Sequence, residues 1–159
     1  MSRVQVAVCG PSAADAPTLA AAEEVGRLLA ERGAVVVCGG YGGVMQAAAR
    51  GAHAAGGTVV GILSGDDPGP ANPHLDIVVP TGLGQARNTV IALSCEALIA
   101  VGGSWGTLSE VAHAVRHRER AGRPARVVWL DGWTIPQAPD AILAADTPAG
   151  AVDAALSGL

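Results

Sequence analysis

Short runs of β-branched and other apolar residues alternate with alanine-rich stretches of helical spacing along the chain. The strand-like runs cover residues 4–9, 34–38, 58–63, 76–79, 97–101, 126–130 and a short segment after 141. The helical stretches cover about residues 18–32, 44–55, 85–94, 108–120 and a last helix from 148. Strands that alternate with helices are joined by right-handed crossovers and pair in parallel. The pattern therefore predicts an α/β fold, a doubly wound, mostly parallel sheet of six or seven strands with helices on both faces, in a single Rossmann-like domain over residues 1–159.

The composition agrees with this fold and excludes several functions. Half of the residues are hydrophobic but only 3% are aromatic, so aliphatic side chains must fill the core, as in buried parallel sheets. The formal net charge is -4, and all ten basic residues are Arg. An acidic chain lacks the basic surface that binds phosphate backbones, so we expect no nucleic-acid partner. The absence of Lys excludes an internal Schiff base with pyridoxal phosphate and a Walker-type lysine.

The cysteines and the apolar segments predict the cellular compartment of the protein and whether it contacts a membrane. Cys9, Cys38 and Cys95 are far apart in the sequence, which favours reduced, buried thiols over a disulfide framework. The longest apolar stretch, residues 90–101, contains Ser94 and is too short to cross a bilayer. No signal-peptide pattern precedes the first strand-like run. We therefore expect a cytoplasmic protein with no membrane partner.

Glycine-rich loops follow four of the predicted strands, at residues 10–12, 39–43, 81–84 and 102–106. In a doubly wound sheet the loops at the carboxyl ends of the strands share one edge, and ligands bind there. Glycine loops and helix N-termini offer backbone N–H groups to anions, although a single glycine loop often makes only a tight turn. Four such loops favour a phosphate-bearing ligand. The Pro- and Gly-rich segment 64–74 is predicted to be a mobile loop.

Three stretches resemble, in order and spacing, the Lonely Guy family and its bacterial relatives, which are often labelled lysine decarboxylase-like. They are GGYGGVMQAAARGAHAAGG (39–57), GQARN (84–88) and VGGSWGTLSE (101–110). The resemblance implies a Rossmann-like phosphoribohydrolase without a cofactor, which cleaves the N-glycosidic bond of a nucleoside 5'-monophosphate to free base and ribose 5-phosphate. It also implies a homodimer or higher homo-oligomer. Lysine decarboxylation through pyridoxal phosphate is excluded because the chain has no lysine.

The chain departs from the hydrolase signature Pro-Gly-Gly-x-Gly-Thr-x-x-Glu at two positions. Gly102 stands where the family has Pro, and Ser104 replaces the second Gly. The family's Arg-Lys pair reads Arg87-Asn88. This combination is more similar to a branch that includes molybdenum cofactor carriers. A non-catalytic carrier of a phosphorylated, nucleotide-like ligand therefore remains the alternative to the hydrolase, whereas the more remote DNA-processing relatives are disfavoured by the negative charge.

Arg87 and Glu110 are the candidate catalytic residues that the resemblance supplies. Glu110 would face the ribose and stabilise positive charge or position the attacking water, and Arg87 would contact the phosphate or the base. An alternative for Glu110 is a capping box with Thr107 as N-cap. The expected ligand-binding residues lie in the glycine loops and beside Arg87: Gly10, Ser12, Gly39, Gly40, Tyr41, Gly42, Asn88, Gly102, Gly103, Ser104, Trp105, Gly106 and Thr107.

Two further groups have open alternatives. Tyr41 and Trp105 are either stacking surfaces for a base or packing anchors at a subunit contact. Glu110, His113 and His117 have the helical spacing of a metal site but lack a further ligand, so we predict no bound metal. Asp66 and Asp67 fit a solvated loop better than a magnesium site.

Overall fold

The computed structural model describes residues 3–136 and 140–159. The strands are β1 (Gln5–Cys9), β2 (Val35–Cys38), β3 (Val59–Leu63), β4 (Ile77–Pro80), β5 (Ala97–Val101), β6 (Arg126–Leu130) and β7 (Leu143–Ala145). The helices are α1 (Ala16–Glu31), α2 (Val44–Ala54), α3 (Arg87–Leu93), α4 (Trp105–Ala121) and α5 (Pro148–Leu156), and a 3₁₀ turn (Gly84–Ala86) leads into α3.

The seven strands form one sheet in the order β4-β3-β2-β1-β5-β6-β7. Every neighbouring pair is parallel. The chain winds outward from β1 to β4, returns to the middle at β5 and then winds outward on the other side. The predicted doubly wound α/β sheet is therefore confirmed, with seven strands.

Helices cover both faces of this sheet. One core contains residues of α1, α2 and α5 packed on Val6, Val36 and Ile99, and the other contains residues of α3 and α4 packed on Ala7 and Leu98. Both cores consist almost entirely of Ala, Val, Leu and Ile. The central strands are buried on both sides, which is why their sequences are continuous apolar runs rather than alternating ones.

Small residues let α1 and α2 approach each other closely. A Cβ on Gly26 would lie 2.0 Å from the Ala48 carbonyl oxygen, and one on Gly51 would lie 1.9 Å from the Glu23 carbonyl oxygen. Two glycines therefore set the distance between these helices, since any larger side chain would push the backbones apart.

The segment predicted as a mobile loop is held by hydrogen bonds to its neighbours. Asn72 is buried, its backbone N–H donates to the Gly40 carbonyl at 2.9 Å, and its side-chain amide donates to the Tyr41 carbonyl at 3.1 Å. The Gly65 N–H donates to the Tyr41 hydroxyl at 3.1 Å. These bonds anchor residues 64–74 to the loop after β2. The Pro and Gly content therefore indicates an irregular backbone and not the predicted mobile loop.

The three cysteines are free and buried, as predicted. Within residues 3–136 and 140–159, none of the helices combines the length and the apolar character that crossing a membrane requires.

Candidate functional site

A cleft of about 850 Å³ opens at the carboxyl ends of β1 and β5, where the strand order reverses. Doubly wound sheets bind ligands at this position because the loops from the two central strands diverge there. The cleft is lined by Gly10, Ser12, Met45, Gln85, Ala86, Arg87, Asn88, Thr89, Ser104, Trp105, Gly106, Thr107, Ser109, Glu110 and His113.

Nine of the fifteen predicted site residues line this cleft, and six do not. The six are Gly39, Gly40, Tyr41, Gly42, Gly102 and Gly103. Sequence reasoning missed Met45, Gln85, Ala86, Thr89 and Ser109, and it considered His113 only as a metal ligand. The helical spacing from Glu110 places His113 on the same face of the helix, because residues three apart are neighbours there.

Ser104, not Thr107, caps α4, so the alternative of a capping box between Thr107 and Glu110 is wrong. The Ser104 hydroxyl accepts a hydrogen bond from the Thr107 N–H at 3.2 Å and lies 2.9 Å from the Thr107 hydroxyl. The helix begins at Trp105, three residues earlier than predicted. This shift places Glu110 in the second turn, too far along the helix to reach the backbone of its first residue.

The first turn of α4 leaves two backbone donors open toward the cleft. The N–H groups of Trp105 and Gly106 donate to no other residue in the described part of the chain. Together with the Ser104 and Thr107 hydroxyls and the positive end of the helix dipole, they form an arrangement that suits an anion. We refer to Ser104, Trp105, Gly106 and Thr107 as the anion pole.

Glu110 is only 7% exposed and lies beside Cys9 and Arg87. Burial raises the pKa of its carboxyl to about 7, and this rise outweighs the opposing effects of the Arg87 charge and of a hydrogen bond with the Cys9 thiol. The burial of Cys9, together with the Glu110 carboxylate, raises the pKa of that thiol well above its ordinary value. Near neutral pH the cleft therefore contains a carboxyl group that is partly protonated.

Arg87 is buried, and its guanidinium is used to join two strand ends. Nη1 donates to the Gly39 carbonyl at 2.7 Å and to the Ile62 carbonyl at 2.6 Å, and Nε donates to the Asn88 side-chain oxygen at 3.1 Å. Nη2 has no hydrogen-bond partner among the described residues, where every fully buried side-chain nitrogen or oxygen has one. Nη2 is therefore the atom that Arg87 leaves accessible to the cleft.

Asn88 and His113 connect α3 to α4 across the floor of the cleft. The Asn88 amide donates to the Ser109 hydroxyl at 2.8 Å, and that hydroxyl donates to the Gly106 carbonyl at 2.7 Å. His113 Nε2 lies 3.1 Å from the Thr89 hydroxyl. No group of three or more His, Cys, Asp or Glu side chains is placed to hold a metal ion within the described ranges, so Glu110, His113 and His117 do not form one.

A model of the SLOG cluster4 family matches residues 3–131 of this chain. The chain belongs to the SLOG cluster4 family. This match, together with the solved structures described next, confirms the predicted resemblance to the Lonely Guy superfamily on the side of the molybdenum cofactor carriers.

The similarity to individual proteins extends over most of the chain. An uncharacterized protein of Archaeoglobus fulgidus is 40% identical over 140 residues, which are 88% of this chain and 92% of that protein. The molybdenum cofactor binding protein from the phototrophic bacterium Rippkaea orientalis is 31% identical, with a TM-score of 0.88 over 96% of this chain and 95% of that one. The molybdenum cofactor carrier protein of Chlamydomonas reinhardtii is 34% identical, with a TM-score of 0.82 over 96% of each chain.

In this SLOG cluster4 chain, the departure at Gly102 has a backbone cause. Gly102 adopts φ +67°, in the left-handed region, and its N–H donates to the Leu130 carbonyl at 3.0 Å. Proline can provide neither feature, because its ring fixes φ near −65° and removes the N–H. The loop after β5 therefore follows a path that the Pro of the hydrolase signature cannot follow.

The three tryptophans of the chain gather beside this loop. The Trp129 indole N–H donates to the Gly102 carbonyl at 2.6 Å. The Trp133 ring lies 6.2 Å from the Trp129 ring and 5.2 Å, edge to face, from that of Trp105. Trp105 is 80% exposed at the mouth of the cleft.

The predicted residues of the loop after β2 lie behind the cleft. Gly39 and Gly40 provide carbonyl acceptors for Arg87 and Asn72, and Tyr41 holds residues 64–74 through its hydroxyl. The Arg87 guanidinium carbon lies 5.9 Å from the centre of the Tyr41 ring. These residues support the position of Arg87 instead of lining the cavity.

Proposed function

We propose that this protein binds and carries a phosphorylated, nucleotide-like ligand, with the molybdenum cofactor as the first candidate. The observation that carries the proposal is the anion pole at the mouth of the cleft. Two open backbone N–H groups, two hydroxyls and a helix N-terminus converge there, and such groups bind phosphate without a basic patch.

The loop after β5 favours a carrier over a hydrolase. Gly102 follows a backbone path that excludes the Pro of the hydrolase signature, and Ser104 uses its hydroxyl to cap α4. Arg87 commits Nη1 to two strand-end carbonyls, which leaves it one nitrogen for a ligand. Solved relatives of similar length at 31% and 34% identity are molybdenum cofactor binding and carrier proteins, which supports the same choice.

Hydrolysis of a nucleoside monophosphate is the second candidate, and Glu110 is the observation in its favour. A buried carboxyl with a pKa of about 7, in the same cleft as the anion pole, has the titration range of a catalytic acid or base. In that role Glu110 and Arg87 would be the catalytic pair.

One experiment separates the two candidates. The purified protein is incubated with molybdenum cofactor released from a molybdoenzyme, and in parallel with a panel of nucleoside monophosphates. We expect molybdenum to remain with the protein after desalting, measured by elemental analysis, and all nucleotides to stay intact by chromatography. If free base appears with the wild type but not with Glu110→Ala, the hydrolase function is supported and the carrier function is rejected. If molybdenum is lost on desalting and no nucleotide is cleaved, the carrier function is also rejected.

We also propose that the protein works as a homodimer in the cytoplasm. The outer strand β4 exposes Ile77 at 50% and Val79 at 41%, and Leu83, three residues after the strand, is 50% exposed. Parallel sheets are normally covered on both faces, so apolar side chains at this edge favour a partner surface. We expect light scattering after size-exclusion chromatography to show two chains, and Ile77→Ser with Val79→Ser to give one. A monomeric wild type would contradict the dimer.

A further inference from the structure

A second cavity, of about 390 Å³, opens beside the cleft at the carboxyl ends of β6 and β7. Its volume lies in the range of pockets that hold small molecules. Trp133 forms one wall, and Asp131 and Asp146 provide two carboxylates. None of the predicted site residues lines it, so the proposed function leaves this cavity unused.

The wall between the two cavities is aromatic. Trp133 is 40% exposed and stands edge to face with Trp105, which lines the cleft. Gly103 makes room for this arrangement, since a Cβ there would lie 2.5 Å from the Trp133 indole nitrogen. The loop that joins β5 to the anion pole therefore also packs against Trp133, which forms the wall of the second cavity.

The two carboxylates have no partner in the described part of the chain. Neither the Asp131 nor the Asp146 side chain forms a hydrogen bond or an ion pair there. Asp131 also has φ 49°, in the left-handed region that Asp adopts more readily than most residues with a Cβ. Exposed, unpaired carboxylates beside a tryptophan that is itself 40% exposed form an arrangement that a ligand with hydrogen-bond donors can use.

We propose that this cavity binds the flat heterocycle of the ligand whose phosphate occupies the anion pole. The heterocycle would be a 2-amino-4-oxopyrimidine ring of the kind found in pterins and guanine. Such a ring presents adjacent N–H and NH₂ donors, which a carboxylate accepts in parallel, and its face stacks on an indole. Adenine lacks this adjacent pair of donors, so the cavity discriminates against it.

A stacked cation is the other chemistry that tryptophan and carboxylate can bind. The neighbouring cleft decides between them, because a phosphorylated heterocycle satisfies the anion pole and the carboxylates in one molecule. This subsite therefore rests on the proposed function and extends it by naming the part of the ligand that is recognised. Its own test uses unphosphorylated probes, so that it can fail separately.

The chain provides its own optical probe, because all three of its tryptophans lie at this wall. Tryptophan fluorescence is titrated with pterin, guanosine, adenosine and arginine amide. We expect pterin and guanosine to change the emission with roughly 10- to 100-fold higher affinity than adenosine, the difference that hydrogen bonds to a charged group produce. Arginine amide should have no effect.

Asp131→Asn and Asp146→Asn should each reduce the affinity for pterin and guanosine by roughly 10-fold or more. Asn tolerates the left-handed backbone of residue 131, so the fold should persist, and circular dichroism checks it. Asp153→Asn, on the exposed face of α5, is the matched control and should bind as the wild type does. Binding of inorganic phosphate, followed by calorimetry, should be equal in all four proteins.

The outcomes separate the two proposals. Failure of pterin and guanosine to bind, or equal binding by the Asp131 and Asp146 variants, overturns the heterocycle subsite even if molybdenum cofactor is retained. A response to arginine amide alone overturns it in favour of a cation site. Specific binding of pterin without binding of phosphate or of the molybdenum cofactor supports the subsite but rejects the carrier.

Discussion

Two glycine-rich loops, residues 39–43 after β2 and residues 102–104 after β5, have similar sequences but different roles in the molecule. The β2 loop gives its carbonyls to Arg87 and Asn72 and is closed off behind the cleft. The β5 loop leads into a helix whose first two N–H groups stay open. Its Ser104 lines the cleft, and its Gly103 packs against Trp133 of the second cavity. Glycine content thus indicates where the backbone is crowded or turned, and open donors indicate where a ligand binds.

Arg87→Met should disrupt the β2 loop and cause the largest loss of stability among these variants. The carbonyls of Gly39 and Ile62 would lose a charged donor inside the protein, at about 1–3 kcal/mol each. We expect chemical denaturation to show a fall in the free energy of unfolding of about 4 kcal/mol. Arg116→Met is the control, because Arg116 forms a surface ion pair and should change stability by less than about 1 kcal/mol. Equal stability of the two variants would mean that Arg87 has no structural role.

Gly102→Pro should break the β5 loop with the next largest effect. It removes the hydrogen bond to Leu130 and cannot adopt φ +67°, which together should cost about 3 kcal/mol. Gly102→Ala keeps the N–H and should lose less, about 1–2 kcal/mol. Thermal denaturation measures both. A Gly102→Pro protein as stable as the wild type would show that the loop can adopt the hydrolase path.

Glu110 is buried beside Cys9 and Arg87, and its titration tests the interior that these residues share. Its pKa is raised from 4.5 to about 7 in the folded protein, so the folded state holds more protons than the unfolded state between these values. Stability should therefore fall as the pH rises from 4.5 to 7 and level off above, with a total of up to about 3 kcal/mol. Glu110→Gln should remove most of this fall when unfolding is followed against pH, whereas Glu119→Gln, at an exposed site, should keep it. An unchanged pH profile in Glu110→Gln would contradict the burial of a titrating carboxyl.

Ser104→Ala should have the smallest effect on stability and a clear effect on binding. Loss of the N-cap hydroxyl should cost about 1 kcal/mol of unfolding free energy. Because the same hydroxyl belongs to the anion pole, phosphate affinity measured by calorimetry should fall by several-fold. Thr147→Ala removes the equivalent cap of α5 and should lower stability without changing phosphate binding. A matching loss of affinity in both variants would remove Ser104 from the site.

The fold could be predicted because it depends on local patterns. The bounds of β5 and β6 were predicted without error, since both are continuous apolar runs buried on each face. The start of α4 was missed by three residues because Ser104 and Thr107 are both good N-caps, and in the structure Ser104 takes this position. The order of strands and helices along the chain was thus enough to predict the sheet, but the choice between two similar N-caps could be made only from the three-dimensional structure.

The site was predictable where its residues follow the central strands or stand in the stretches that resemble the family, although the loop directly after β2 does not line the cleft. Ser12, Ser104 and Glu110 lie after the two central strands and reach the cleft. The bonds of Arg87 could not be foreseen, because its acceptors Gly39 and Ile62 are 48 and 25 residues away. The second cavity was missed because it depends on the short strand β7 and on contacts among the tryptophans.

The pairing of β1 with β5 has a consequence for the order of folding. The two strands are brought together over a long loop, and the Gln5 N–H bonds to the Glu96 carboxylate 91 residues away at 2.8 Å. Contacts of this separation form late, because closing the loop costs entropy before the pairing compensates it. The cleft lies at the ends of β1 and β5, so a ligand bound there would contact both halves of the chain and stabilise their association. If the protein is a carrier, ligand binding should therefore slow unfolding more than it speeds folding, so the loaded protein should persist longer than the empty one.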